Sequence, residues 1–165
     1  MVSIKDIPAE VRWEIAARSA TAMGFAYGAF LERALGDKYG EIVKQIWIEG
    51  GNEAKALAEK LALPVGNAKE VDETWGVLSQ ILYGPEFAWE TQEEGEDRSV
   101  DRITGCPFLN RTREMGSDSK GLFETCQAYS RSAVESLNPK YTQRFENAMC
   151  QGAPYCESIV ELKKI

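Results

Sequence analysis

The sequence contains no histidine, and its first 105 residues contain no cysteine. The absence of imidazole excludes a histidine general base and every metal site that depends on histidine ligands. No run of apolar residues approaches the roughly 18 positions of a membrane-spanning helix, so no membrane segment is expected. The amino terminus also lacks the charged and apolar regions of a secretory signal. These absences together predict a cytoplasmic protein, in which thiols stay reduced.

Basic residues are outnumbered, since 19 lysines and arginines stand against 26 aspartates and glutamates, for a formal net charge of -7. A negative surface disfavours binding to nucleic acid or to an anionic membrane. A chain of 165 residues that is 44% hydrophobic can bury a sizeable core without disulfides. We therefore expect a single domain over residues 1–165, with a small-molecule ligand or substrate as its partner. The composition also permits a homo-oligomer.

Hydrophobic spacing predicts that residues 1–84 are mainly helical. Apolar residues recur at helical intervals in four segments, which lie within residues 8–35, 39–49, 52–63 and 67–83. We expect Gly50-Gly51 to end the second helix and Asn52 to cap the third. Asn67 and Glu70 are spaced as a capping box for the fourth helix, which Gly84-Pro85 would end.

Residues 85–165 have a mixed pattern. Alternating residues around Trp89 and over 98–105 predict a hairpin, with the acidic segment 93–97 as its turn. We expect a polar loop over 110–120, a helix over 122–137, a second helix that starts at Asn138-Pro139, and a terminal strand over 155–162. The predicted fold class is α+β, with a helical layer packed on a short antiparallel sheet and a C-terminal strand.

All four cysteines, Cys106, Cys126, Cys150 and Cys156, belong to this second part. Cys126 lies on the apolar face of the predicted helix, and Cys156 opens the terminal strand on its core side. Cys106 and Cys150 lie at the ends of elements. A helix packed across one end of the sheet would bring the four thiols together.

Converging thiolates would favour zinc, copper(I) or an iron–sulfur cluster over hard cations. The spacings of 20, 24 and 6 positions match neither a zinc ribbon nor the consecutive ferredoxin pattern. The sequence therefore predicts a four-cysteine cofactor-binding and metal site that holds an iron–sulfur cluster or zinc, and it does not choose between them. Ordinary buried thiols and two disulfides remain the alternatives.

Four segments carry a resemblance to a known family: Cys106-Pro107, Cys126-Gln-Ala-Tyr129, Asn138-Pro-Lys-Tyr141 and Cys150-Gln-Gly152-Ala-Pro-Tyr-Cys156-Glu157. In these segments the chain resembles the L-2-amino-thiazoline-4-carboxylic acid hydrolase family, and more weakly the vinyl-4-reductase-type domains that bind small molecules or metals. The first resemblance implies hydrolytic opening of a small ring at a C–N or C–S bond. Ala153 stands where the family often has aspartate, so an acidic group of the family pattern is missing at this position.

Three functions are compatible with these features. The first is a metal-assisted hydrolase, for which Asp101 and Glu157 are the nearest carboxylates in sequence, although alternation turns both away from the thiols and four sulfur ligands leave no open metal position. Its metal-free form would use a thiol nucleophile, with Lys120 and Arg131 as the cations near Cys126.

The second function is a non-catalytic small-molecule-binding or redox-sensing domain with a four-cysteine site. Its pocket would be lined by aromatic residues of the helical half, which are Trp13, Trp47, Trp75, Trp89, Phe25 and Tyr27. The third is a partner-binding subunit whose cysteines are only structural. The residues identify no catalytic side chain.

Overall fold

The computed structural model describes residues 3–117, 119 and 121–164. Within them, four α-helices precede the first strand, and two more α-helices lie between the strands. The helices are α1 (Ala9–Leu35), α2 (Tyr39–Asn52), α3 (Ala54–Leu61), α4 (Ala68–Tyr83), α5 (Pro107–Glu114) and α6 (Leu122–Leu137). The strands are β1 (Ala88–Glu93), β2 (Arg98–Gly105), β3 (Tyr141–Asn147) and β4 (Cys156–Leu162).

The four strands form one antiparallel sheet in the order β1-β2-β4-β3. The predicted hairpin is confirmed as β1 and β2, and the predicted terminal strand is confirmed as β4. Strand β4 lies between β2 and β3, and its residues Ile159 and Val160 are fully buried. Since helices cover this sheet, the α+β fold class is also confirmed.

The helical first half contains the four predicted helices, but the predicted end of α2 and the predicted cap of α3 are wrong. Asn52 is the last residue of α2, and Glu53 is the N-cap of α3 without a side-chain hydrogen bond. The Asn67 side chain caps α4 by accepting a hydrogen bond from the Glu70 N–H at 2.9 Å. Gly50-Gly51 does not end α2, which continues to Asn52. The glycine at position 51 instead permits close packing on α6, because a Cβ there would lie 2.6 Å from the Tyr129 carbonyl oxygen.

Two predictions for the second half are wrong. Residues 107–114 form α5 where a polar loop was expected to begin at residue 110, and Cys106 caps this helix by accepting a hydrogen bond from the Leu109 N–H at 3.4 Å. The segment after Pro139 is strand β3 rather than a helix. The spacing of Tyr141 and Phe145 fits both periods, and pairing with β4 selects the strand.

The main core lies where α3, α4 and α6 meet each other and the sheet. Val71, Leu78 and Val134 are among its fully buried residues. Helix α6 packs on α2 and on β3, so it connects the helical half to the sheet. Across the described part of the chain, no helix is both long and apolar enough to cross a membrane.

Candidate functional site

A cavity of about 70 Å³ lies between the helices and one end of the sheet. Helices α2, α4, α5 and α6 contribute to its wall, together with β2, β3, β4 and the turn before β4. Eight aromatic side chains line it: Trp47, Trp75, Tyr83, Phe87, Phe108, Phe123, Tyr129 and Phe145. No charged side chain belongs to the described lining. The cavity is therefore an apolar, aromatic-walled space inside a helical cover.

The aromatic rings hold one another in edge-to-face arrangements. The ring of Phe108 lies 4.7 Å from that of Tyr83 and 5.1 Å from that of Trp47, measured between centroids. The Tyr129 ring lies 5.1 Å from Trp47 and 5.3 Å from Trp75. Such pairs stabilise by about 0.5–1.5 kcal/mol beyond the area they bury, so the wall is partly preorganised.

The polar groups of the wall include two tyrosine hydroxyl groups that are hydrogen-bonded to each other. The hydroxyl of Tyr83 donates a hydrogen bond to that of Tyr129. Burial raises the pKa of Tyr83 well above its ordinary value, with a further contribution from Tyr129. Both phenols are therefore neutral at physiological pH, and they can donate to or accept from a ligand.

All four cysteines line this one cavity. Cys106 caps α5, Cys126 lies in α6, Cys150 lies in the single helical turn Met149–Gln151, and Cys156 begins β4. The thiols thus come from four different elements, as the sequence led us to expect. Their assignment as metal or cofactor ligands stays a prediction.

Burial keeps these thiols protonated in the absence of a cation. It raises the pKa of Cys126 well above its ordinary value, and the other three cysteines raise it further. Burial likewise raises the pKa of Cys156 to about 11. The Met149 N–H donates a hydrogen bond to Cys156 Sγ at 3.2 Å, and such a bond would also stabilise a thiolate.

The donor set suits a soft metal in its chemistry, because it consists of thiols that would become thiolates on binding. Within residues 3–117, 119 and 121–164, however, no group of three or more cysteine, aspartate or glutamate side chains is arranged to hold a metal ion. The side chains would therefore have to move closer to one another to ligate one ion together.

The other residues singled out from the sequence are dispersed. Asp101 and Glu157 do not line the cavity, and Arg131 donates instead to the Gln143 carbonyl oxygen at 3.4 Å. Lys120 lies outside the described residues. Of the six aromatic residues proposed for the pocket, Trp47 and Trp75 line it, whereas Trp13, Trp89, Phe25 and Tyr27 do not.

Sequence reasoning missed most of the aromatic wall. Phe108 lies in α5, between the predicted strand over 98–105 and the predicted loop over 110–120, and Phe123 is the second residue of α6. Tyr83 is the last residue of α4, directly before the glycine that ends it. The sequence did contain one indication of these residues. Phe108 and Phe123 lie close to a cysteine in sequence, and Tyr83 lies at the end of a predicted helix.

The helical cover, the open antiparallel sheet and the cavity between them define an α+β protein with an internal apolar site. More particularly, the chain belongs to the L-2-amino-thiazoline-4-carboxylic acid hydrolase family, whose sequence pattern matches residues 16–160. The resemblance recognised from the cysteine-bearing segments is thereby confirmed. No curated protein matches the chain in sequence.

Among the solved structures that share the fold are the following two. One is the phenol-responsive sensory domain of the transcription activator PoxR with phenol, with a TM-score of 0.62, 14% identity, and coverage of 86% of this chain and 74% of that one. The other is trafficking protein particle complex subunit 3 from Naegleria fowleri, covalently bound to palmitic acid. It has a TM-score of 0.61, 12% identity, and coverage of 91% of this chain and 96% of that one.

Proposed function

We propose that this protein binds a small, mainly apolar molecule in the aromatic cavity, as a non-catalytic binding or sensing domain. The observation that carries the proposal is the cavity wall itself, which combines eight aromatic rings with the Tyr83–Tyr129 hydroxyl pair and has no charged group in its described part. Ligand sites are commonly apolar spaces with a few polar groups that orient the ligand. An aromatic or acyl ligand with one hydroxyl or carbonyl group fits that description.

The cavity is too small to accept a ring-sized ligand unless its wall changes. At about 70 Å³ it is smaller than the space of roughly 150 Å³ that accepts benzene in an engineered protein cavity. A ring-sized ligand would therefore have to displace side chains as it enters. Phe123 and Leu122 begin α6 at the cavity wall, so a movement of this first turn would enlarge the space.

The two structural neighbours support a small-molecule ligand by analogy. One was solved with phenol and the other with covalently bound palmitic acid, and both molecules are largely apolar. At identities of 14% and 12% the shared feature is the fold, so the ligand of this chain has to be measured directly.

The second part of the proposal concerns the four cysteines. Cys106, Cys126, Cys150 and Cys156 would hold zinc or an iron–sulfur cluster, and the ion would tie α5, α6 and β4 together beside the ligand. Four thiolates around one zinc make a closed structural site, whereas catalysis needs an open position. This arrangement favours a binding or redox-sensing role over hydrolysis.

Hydrolysis of a small ring at a C–N or C–S bond is the second candidate, and family membership favours it. A thiazoline carboxylate would bring a negative charge into a wall where no described side chain is charged. Because of this mismatch we rank hydrolysis below ligand binding. Hydrolysis predicts that the ring of a thiazoline carboxylate opens, which mass spectrometry detects.

Binding can be tested with phenol, toluene, palmitate and a thiazoline carboxylate as probes. It is followed by calorimetry and by tryptophan fluorescence, to which Trp47 and Trp75 of the cavity wall contribute. We expect the uncharged aromatic probes to bind. Ser130→Leu, which places a larger side chain in the cavity wall, should abolish binding, whereas Arg131→Leu on the exposed side of α6 should not. Turnover of the carboxylate, or no binding of any apolar probe by a folded protein, would contradict the proposal.

The metal is tested separately. Anaerobically purified protein should contain zinc, or iron with matching sulfide and broad visible absorption. Each Cys→Ser variant should lose most of the metal, because each thiol would supply one ligand. A protein that stays metal-free after zinc is offered, with four titratable thiols, would refute the metal site while leaving ligand binding open.

A further inference from the structure

Helix α1 turns most of its surface away from the described chain. Of its 27 residues, the buried ones are Ala17 and Thr21. On its outer side Phe30 is 70% exposed, Tyr27 is 61% exposed and Met23 is 51% exposed. Single exposed apolar residues are normal on a protein surface, but a contiguous set marks an interaction surface.

The exposed residues form a continuous stripe. Residues 19–31 contain no charged side chain. At about 100° per residue, Ala16, Ser19, Met23, Tyr27 and Phe30 fall within an arc of roughly 80° on the helix surface. We call these five residues the α1 stripe. Ile15 and Leu31 lie at its two edges and are also exposed.

We propose that the α1 stripe is the interface of a homodimer, in which α1 packs antiparallel on α1 of a second copy. The exposed fractions of Ile15, Met23, Tyr27, Phe30 and Leu31 correspond to on the order of 600 Å² per protomer, taking about 200 Å² for a full side chain. A standard interface buries about 800 Å² per partner, of which little more than half is apolar. The stripe therefore supplies the apolar area that a stable dimer needs.

The order of residue sizes along the stripe favours a second copy over a different partner. Small residues occupy its amino-terminal half, Met23 its middle and large aromatic residues its carboxyl-terminal half. A two-fold interface is self-complementary. If the two-fold axis passes beside Met23, Phe30 of one copy packs on Ala16 of the other, and Tyr27 packs on Ser19.

Of the parallel and antiparallel arrangements of the two α1 helices, only the antiparallel one avoids crowding between large side chains. A parallel pair would place Phe30 on Phe30 and Ala16 on Ala16, which leaves a clash at one end and a gap at the other. Antiparallel helices also align their dipoles favourably. The size gradient of the stripe thus specifies the orientation as well as the partner.

Sedimentation velocity and light scattering test the dimer on the full chain. The unaltered protein should have twice the monomer mass. Met23→Glu should convert it to a monomer, because the substitution places two carboxylates together at the two-fold axis. Leu61→Glu is the matched control, since Leu61 is exposed on α3 outside the stripe and should leave the dimer intact. Circular dichroism of both variants checks the fold.

The register is tested by disulfide trapping. A chain carrying both Ala16→Cys and Phe30→Cys should form a covalent dimer on mild oxidation, whereas neither single variant should do so. The two positions are about 21 Å apart within one helix, so they cannot join within one chain. The unaltered chain controls for its native thiols.

Each contrary result overturns a defined part of the proposal. A monomeric unaltered protein, or a dimer that survives Met23→Glu, would refute the α1 stripe as the interface. Trapping by the single variants Ala16→Cys and Phe30→Cys, without trapping between the two positions, would refute the antiparallel arrangement.

Discussion

Asp72 on α4 and Asp101 on β2 meet as two buried carboxyl groups, 3% and 5% exposed. Within the described part of the chain, Oδ2 of Asp72 and Oδ1 of Asp101 have no hydrogen-bond partner. Burial and the negative charge of Asp101 raise the pKa of Asp72 to about 8. We infer that the two carboxyl groups share one proton, which would give both oxygens a hydrogen-bond partner. The pair would then join α4 to the sheet only while that proton is bound.

The other charges around the pair do not remove the repulsion. Glu73 on α4 and Glu94 in the hairpin turn are further acidic neighbours, and Lys69 is engaged by both of them, at 3.9 Å and 2.7 Å. On the strands, Ser99 and Thr91 supply hydroxyl groups toward Asp72 and Asp101. No described cation faces the pair directly, so deprotonation would leave two buried negative charges.

We predict that stability falls as the pH rises from about 5 to about 8. In that interval the folded state holds the Asp72 proton and the unfolded state, with a pKa near 3.9, does not. The free energy of unfolding then decreases with a limiting slope of about 1.4 kcal/mol per pH unit and levels off above the folded pKa. Urea unfolding at a series of pH values measures this slope.

Asp72→Asn should abolish most of the slope and stabilise the protein at pH 8, because the amide mimics the protonated carboxyl. Glu73→Gln, on the same helix but exposed, should keep the slope. An unchanged pH dependence in Asp72→Asn would show that the pair does not share a proton.

Neighbouring glycines in α2 should respond to alanine with opposite signs. A Cβ on Gly51 would lie 2.6 Å from the Tyr129 carbonyl oxygen and 2.9 Å from Ser132 Cβ, whereas a Cβ on Gly50 would make only a contact of 3.7 Å with the Tyr129 ring. Gly51→Ala should destabilise by about 1–3 kcal/mol. Gly50→Ala should stabilise by about 0.5–1 kcal/mol, the usual gain in a helix interior. Thermal unfolding measures both, and equal effects would contradict the close α2–α6 contact.

Sequence periodicity correctly predicted the elements whose own residues determine their secondary structure. The cap at Asn67 and the apolar face of Val71, Trp75 and Leu78 predicted α4, and all three face residues are buried. The alternation of β4 predicted a strand that the structure places within the sheet. These elements carry their hydrophobic pattern locally, so no tertiary information was needed.

Tertiary pairing decided the elements that were predicted wrongly. Tyr141 and Phe145 fit a helix as well as a strand, and only the partner β4 distinguishes the two. Helix α5 shows little apolar periodicity because its most buried large side chain is Arg111. Most aromatic residues of the cavity were likewise not predicted, because they come from separate elements that no local pattern connects.

The ion pair between Arg111 and Glu86 holds α5 in place beside the cavity. The Arg111 side chain is 2% exposed, and its guanidinium donates to both carboxylate oxygens of Glu86, at 2.8 and 2.9 Å. Glu86→Gln should cost about 3 kcal/mol, the low end for breaking a buried pair, because Glu114 still neutralises part of the charge. Glu114→Gln, at a more exposed position, should cost less than about 1 kcal/mol. Urea unfolding compares them, and equal losses would contradict this division of the network.

The hydroxyl pair predicts the ligand preference of the cavity. Phenol and toluene have nearly the same shape, but only phenol can join the hydrogen bond between Tyr83 and Tyr129. The unaltered protein should therefore bind phenol more tightly than toluene, by about tenfold for a net hydrogen bond of about 1.4 kcal/mol. The double variant Tyr83→Phe/Tyr129→Phe should lose or reverse that preference, whereas Tyr39→Phe, outside the cavity, should keep it. Calorimetric titration with both ligands gives the ratio, and a phenol preference that survives in the double variant would assign the recognition to another group.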